Sequence, residues 1–254
     1  MEWTDDGIVL GARRHGESGA IVHLLTREHG RHAGLVRGGA SPKARATLQP
    51  GTLVRARWRA RLAEHLGGYH LEAVRVHAGD MLDKPMPLAG LTAACAVAET
   101  ALPEREPHPG VFEGLRILLE AMAVPWWPSI YVRWEVGLLK ELGFGLDLTR
   151  CAATGGNDQL AYVSPRSGRA VSLSAGEPYR ELMLPLPRFL LGGGGAGDAR
   201  EVADGLRLTG FFLERHVYHG ELPPARDRLA DRLRALARAA PPVATADLAW
   251  HTVG

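Results

Sequence analysis

Five apolar runs of strand length follow one another within the first 79 residues, at positions 7–12, 20–26, 33–37, 52–61 and 69–76. Turn-forming residues separate them: Glu17-Ser18-Gly19, Glu28-His29-Gly30, Gly38-Gly39 and Gly67-Gly68. Five short strands in so few residues predict a small closed or nearly closed antiparallel barrel. Closure also removes the unpaired edges that a small all-β module would otherwise expose.

The fourth run carries the sharpest alternation. Between positions 54 and 61 the chain reads V-R-A-R-W-R-A-R. A strand there places Arg55, Arg57, Arg59 and Arg61 on one face and Val54, Ala56, Trp58 and Ala60 on the other. Guanidinium groups at every second position recur about every 6.6 Å and stay charged at any physiological pH, so the row can track a polyanion. A half-buried strand with a basic solvent face shows the same pattern without any ligand. Trp58 falls on the apolar face, which predicts a core role and favours backbone contacts over base stacking. Trp3 and Tyr69 are the other aromatic candidates of this region.

The whole chain carries a formal charge of only +2, but residues 1–79 carry +5 and the remainder −3. Between Arg27 and Arg61 nine basic residues face a single acid, Glu28. Such asymmetry predicts a basic N-terminal module with an anionic partner, joined to a slightly acidic module. Beyond the arginine row, the candidate contacts are Arg13 and Arg14 after the first run, and Arg37, Lys43 and Arg45. The last three lie in a Gly/Ser/Pro segment that reads as a mobile loop.

Two cysteines, Cys95 and Cys151, cannot build a disulfide framework, and no secretory signal or membrane-length apolar stretch is legible, so the cytoplasm is the expected compartment. Composition is that of a folded globular chain: 46% apolar and 23% charged residues, which argues against extensive disorder.

After Asp80 the texture changes. Positions 88–102, 111–122, 129–142, 200–218 and 224–238 read as helices. Pro125 and Pro128 separate the second from the third, with Ser129 as its expected N-cap and Gly143 as its expected stop. Residues 147–177 lose the helical period and read as a loop or short hairpin insert, 192–197 as a break, and 239–254 as a loose tail. The domains expected are therefore a barrel over 1–79, a helical domain over 80–240 with the insert at 147–177, and a tail over 241–254.

Catalytic signals are weak. The pairs His29/His32 and His216/His219 lack the further ligands that a metal site needs, and Gly192 to Gly195 lacks the ending of a phosphate-binding loop. Cys95 reads as a core residue, and no motif beside Cys151 suggests a nucleophile. No catalytic residue, metal ligand or cofactor is assigned. On the third helix Trp134, Leu138 and Leu142 share a face flanked by Arg133 and Lys140, an apolar strip edged by cations that suits a short acidic, hydrophobic peptide. Packing into the core explains the same stripe.

Several short segments, in this order and spacing, resemble the bacterial recombination mediator family RecO. They are the opening Asp6-Gly7-Ile8-Val9-Leu10, then His15-Gly16-Glu17-Ser18-Gly19-Ala20-Ile21-Val22, Leu25-Thr26-Arg27-Glu28-His29-Gly30, Val36-Arg37-Gly38-Gly39 and Leu48-Gln49-Pro50-Gly51. Glu141-Leu142-Gly143-Phe144-Gly145-Leu146-Asp147-Leu148 and Cys151 complete the set. The resemblance implies an α+β, multidomain chain: an N-terminal OB-fold barrel, then an α-helical domain with a degenerate zinc-finger-like insert. It implies a non-enzymatic role in the RecF pathway: binding single- and double-stranded DNA, annealing strands, and loading RecA with RecR on strands coated by single-strand-binding protein. The coating protein's acidic C-terminal tail docks on the family's helical domain, which makes the strip from Arg133 to Leu142 the docking candidate. Many relatives begin a four-cysteine zinc module with C-x-x-C; here Cys151 is followed by Ala152, Ala153 and Thr154, and the second pair is missing. A lone thiolate cannot hold structural zinc, so a metal-free remnant is expected. Two rival readings are a protein-only adaptor whose barrel holds an acidic partner, and a hydrolase using His216, His219 and Cys151.

Overall fold

A computed structural model describes residues 1–192 and 195–239, apart from the Lys43 side chain. The expected tail over 241–254 and two glycines of the break at 192–197 lie outside the described residues.

The five expected strands form: β1 (Glu2–His15), β2 (Gly19–Thr26), β3 (Gly30–Val36), β4 (Thr52–Arg59) and β5 (Gly68–Val76). They close into a barrel in the order β1-β2-β3-β5-β4. All neighbours are antiparallel except β3 and β5, which meet through the parallel pair Leu35 and Gly68. Following paired residues from Arg13 through Ile21, Leu35, Gly68 and Arg59 returns to Glu2, far down β1 from the start. That stagger is the shear a small closed barrel needs. A register shift between Val9 and Gly11 lets the long β1 bend around the barrel and serve both neighbours. The segment read as a mobile basic loop instead contains a short helix, α1 (Pro42–Thr47), because Ser41 accepts a hydrogen bond from the Ala44 N–H and Pro42 opens the first turn. Its neighbour Leu48 is buried in the barrel.

Val9, Val22, Leu24, Val54, Ala56 and Trp58 fill the interior. Trp58 is 2% exposed and donates from Nε1 to the Leu66 carbonyl at 2.9 Å, so the core role expected for it holds.

A 3₁₀ turn (His77–Met81) leads into α2 (Pro85–Ala101), α3 (Pro109–Ala121) and α4 (Trp127–Glu141). Ser129 does not cap α4, which starts two residues earlier; its hydroxyl instead accepts from the Gly197 N–H at 3.0 Å. Gly143 does end it: φ is +86°, and Phe144 N–H closes back on Leu139 O at 2.8 Å. The insert holds β6 (Leu160–Val163) and β7 (Ala170–Ser172), with a third strand, β8 (Leu184–Pro185), beyond residue 177. The four-residue α5 (Leu173–Gly176) follows β7, and α6 (Ala199–Leu213) and α7 (Pro224–Ala239) complete the helical half. Asp198 and Glu201 form a capping box at the start of α6.

Both halves share one large core. Ile8, Leu10 and Leu25, on the outer face of β1 and β2, are fully buried in the same cluster as the helices, and α2 lies across them. Gly30 (φ +66°) marks how closely the halves meet: a Cβ there would stand 1.9 Å from the Glu106 carbonyl oxygen. Polar contacts line the seam, among them the ion pair of Arg27 with Glu113 at 2.5 Å and the hydrogen bond between His23 and Glu99 at 2.6 Å. Partly exposed pairs contribute about 0–1 kcal/mol each, whereas burying one Leu or Ile side chain contributes about 1.5–3 kcal/mol, so apolar contact holds the halves together.

At the centre of the helical half, Glu135 of α4 is fully buried and accepts two hydrogen bonds at 3.0 Å from the guanidinium of Arg226 on α7. Thr209 of α6 donates to the same carboxylate, and Arg226 also donates to Leu206 O at 2.7 Å. Arg226→Ala strands a buried carboxylate and is expected to cost about 3–5 kcal/mol, whereas Glu135→Met with Arg226→Leu together costs much less. Denaturant midpoints of the three proteins measure the difference.

Candidate nucleic-acid interface and helical groove

Alternation in β4 turns Arg55, Arg57 and Arg59 outward, all exposed, with Val54, Ala56 and Trp58 buried. Arg61 is not part of the row, because β4 ends at Arg59 where the connection to β5 leaves the sheet; it is exposed in that connection. The register sets Asp6, Thr4 and Glu2 beside the three arginines on one side and Glu72, His70 and Gly68 on the other. Arg55 pairs with Asp6 at 2.6 Å and Arg57 with Glu2 at 3.4 Å, while Arg59 has no ion pair among the described residues. These carboxylates, remote in sequence, weaken the positive field of the row. The helical half covers the outer face of β1 and β2 and leaves this face open.

The other barrel cations gather near the β1–β2 turn. Ala40 N–H bonds to Ser18 O at 3.0 Å, which brings the segment after β3 against that turn. Arg14, Arg37 and Arg45 are exposed there; Arg14 donates to Glu17 O at 3.0 Å. Arg13 remains 81% exposed, although Glu99 lies 3.7 Å away. The His23 hydrogen bond holds the Glu99 carboxyl below its usual range, against the effect of burial, and Arg13 and Arg31 add to it.

Ring stacking is mostly internal. Trp3 stacks on His29 with ring centres 4.1 Å apart, and Trp58, His32 and Tyr69 surround it. The Tyr69 hydroxyl meets His32 Nδ1 at 2.9 Å. Burial, assisted by nearby Arg105, lowers the His32 pKa to about 4.

On the helical half, Trp134 and Leu138 form part of a groove of about 290 Å³ between α3 and α4, with Ile117, Ile130, Gly114 and Gly137. Lys140 is exposed on its edge, and the Trp134 Nε1–H has no partner among the described residues. Two of the five expected residues differ from the sequence reading. Leu142 does not line the groove and packs partly buried against the main core. Arg133 borders it, yet its guanidinium donates to Phe189 O at 2.7 Å and to Gly195 O at 2.9 Å. Gly114 and Gly137, which open the groove, carry no side-chain signal and escaped sequence reasoning; two glycines on facing helices were the available clue.

Of the residues of the hydrolase reading, His216 and Cys151 are engaged in packing and His219 is exposed. His216 stacks on Phe144 and Phe212. Cys151 is 1% exposed; burial raises its pKa, but hydrogen bonds from Ser172 and Thr154 outweigh this and bring the thiol down to about 6. Among the described residues no three His, Cys, Asp or Glu side chains converge, so this donor set does not fit the zinc of a four-cysteine module. Cys95 is pushed up to about 12 by burial and is a core residue. No described helix is long and apolar enough to cross a membrane.

The architecture is that of a two-part chain, a strand-rich N-terminal unit with exposed cations followed by helices. Family models for "Recombination protein O N terminal" and "Recombination protein O C terminal" match residues 1–76 and 86–223. The chain is 59% identical over 239 residues to a DNA repair protein RecO of Rhodospirillum centenum, covering 92% of this chain and 95% of that one. It is 54% identical over 242 residues to that of Phenylobacterium zucineum (94% and 100% covered) and 52% over 244 to that of Rhodospirillum rubrum (92% and 97%). The chain belongs to the RecO family, and its role lies in DNA repair and recombination.

Because the folded His32 pKa lies below the unfolded value of about 6.5, the unfolded chain binds more protons between pH 4 and 6.5. This contribution is full above pH 6.5 and lost as pH falls toward 4, on the order of 2–3 kcal/mol. Buried His77 acts in the same direction. Urea midpoints should fall between pH 7.5 and 4.5, and His32→Gln should flatten part of that fall.

Proposed function

We infer that this chain is a non-enzymatic recombination mediator of the RecF pathway. The barrel, read as an OB fold from its strand order, grips DNA backbone through Arg55, Arg57 and Arg59, supported by Arg13, Arg14, Arg37, Lys43 and Arg45, with Arg61 at the edge. Binding is electrostatic: cations neutralise phosphates, release counterions and hold two strands close enough to anneal. With RecR the protein then helps RecA onto strands coated by single-strand-binding protein, in the cytoplasm. The observation that carries this reading is the arginine row on a barrel face that the helices leave uncovered, in a chain of this family. The α3–α4 groove, with an apolar floor and Lys140 at its edge, takes the acidic, apolar tail of the coating protein. The domain limits that go with this reading are a barrel over 1–79 and a helical domain from residue 80.

Changing Arg55, Arg57 and Arg59 together to Ala should weaken single-strand binding at least tenfold and flatten the dependence of log K on log salt by about 2, at ~0.7 per phosphate contact. Unchanged affinity and slope would refute the strand assignment. At Gly137 a Cβ meets nothing within 4 Å. Gly137→Leu should therefore keep or slightly raise the melting temperature, since glycine is a poor helix former, while abolishing binding of a synthetic coating-protein tail peptide.

A further inference from the structure

A further cavity lies apart from both the barrel surface and the α3–α4 groove. It is a trough of about 930 Å³ between α6 and α7, walled by Pro165 of the insert and by residues 181–184 leading into β8. Leu206 and Phe211 of α6, Ala230 of α7 and Leu222 between the helices line it, with Leu182 and Met183 on the wall just before β8. Leu182, 73% exposed, stands at the rim of this apolar lining.

Charge is divided along the trough. α6 and α7 are joined by a short connection and run antiparallel, so the start of α6 lies beside the end of α7. Arg200 of α6 and Arg238 of α7 therefore share one end, with Arg207 and Arg234 nearer the middle. Only Arg234 among them has an ion pair in the described residues, with Asp231 at 2.5 Å. Asp204 stands among them half-buried, and burial raises its pKa. Glu214 and Asp227 mark the other end, where Glu221 and Asp231 line an adjoining cleft. Glu181 lies on the wall before β8.

We propose that this trough receives an amphipathic helix of a partner protein, its apolar stripe on Leu206, Phe211 and Leu182, its acidic half at the arginines and its basic half at Glu214 and Asp227. Two antiparallel helices with small residues such as Ala203, Gly210 and Ala230 facing the gap offer a helix-in-groove seat. A helix that is acidic at its N-terminal half and basic at its C-terminal half also complements its own dipole, which sets its direction. An apolar floor sets the trough apart from a nucleic-acid track, and opposite charges at its two ends distinguish it from a site for a uniformly acidic tail.

The test uses the full chain and two labelled 16-residue Leu/Ala helices, one with Glu in its first half and Lys in its second, the other with the charges exchanged. Fluorescence anisotropy should show the first peptide binding at least tenfold tighter. Arg234→Glu with Arg238→Glu, both exposed, should abolish that preference, because Arg200 and Arg207 remain and the other end stays acidic; loss of the Arg234–Asp231 pair should lower the melting temperature by only a few degrees. Equal binding of both peptides, or a preference unmoved by the double change, overturns the proposal. So does tighter binding of a peptide copying residues 240–254, which would assign the trough to the chain's own end. A self-association that the double change abolishes overturns it as well, in favour of a second copy.

Discussion

Burial of the outer face of β1 and β2 against α2 determines which parts of this protein meet solvent. Ile8, Leu10 and Leu25 have no exposed surface to speak of because the helical half lies on them, and the halves consequently share one core. A barrel has a closed ring of outward faces; with the β1–β2 side taken, the β4–β5 side remains open to a ligand. Arg55, Arg57 and Arg59 lie there for that reason. Ion pairs such as Arg27 with Glu113 decorate the seam, but at a surface value of about 1 kcal/mol or less they tune an attachment that apolar contact makes.

A second constraint lies inside the helical half. Glu135, Thr209 and Arg226 tie α4, α6 and α7 through a charged network with no solvent contact, which fixes the spacing of those helices. Gly210 belongs to it: a Cβ there would come within 2.8 Å of the Arg226 guanidinium. The same helices form the α6–α7 trough, so a polar lock in the core sets the geometry of an amphipathic surface outside it.

The strands were legible because period-two alternation and turn residues are local signals, and β4 reproduced its reading residue by residue up to Arg59. Gly143 likewise stopped α4 as its sequence position implied, since only a residue tolerant of positive φ fits there. Ser129 misled because a serine near a helix start fits several turns, and Trp127 and Pro128 proved to be the first helical residues. The basic loop became α1 because Ser41-Pro42 is a helix-opening pair as well as a turn signal. Leu142 fell off the groove because the helix ends before it, and Arg133 turned toward Phe189, a residue 56 positions away.

Sequence alone determined the element types, the basic character of the first 79 residues and the family resemblance, all of which rest on neighbours in the chain. Tertiary structure decided which arginines stay free and which face carboxylates: strand register brings Asp6 and Glu2 to Arg55 and Arg57 across about fifty residues. It also decided that two helix pairs leave grooves, because a groove is the space between side chains of different elements, and periodicity within one helix carries no record of it.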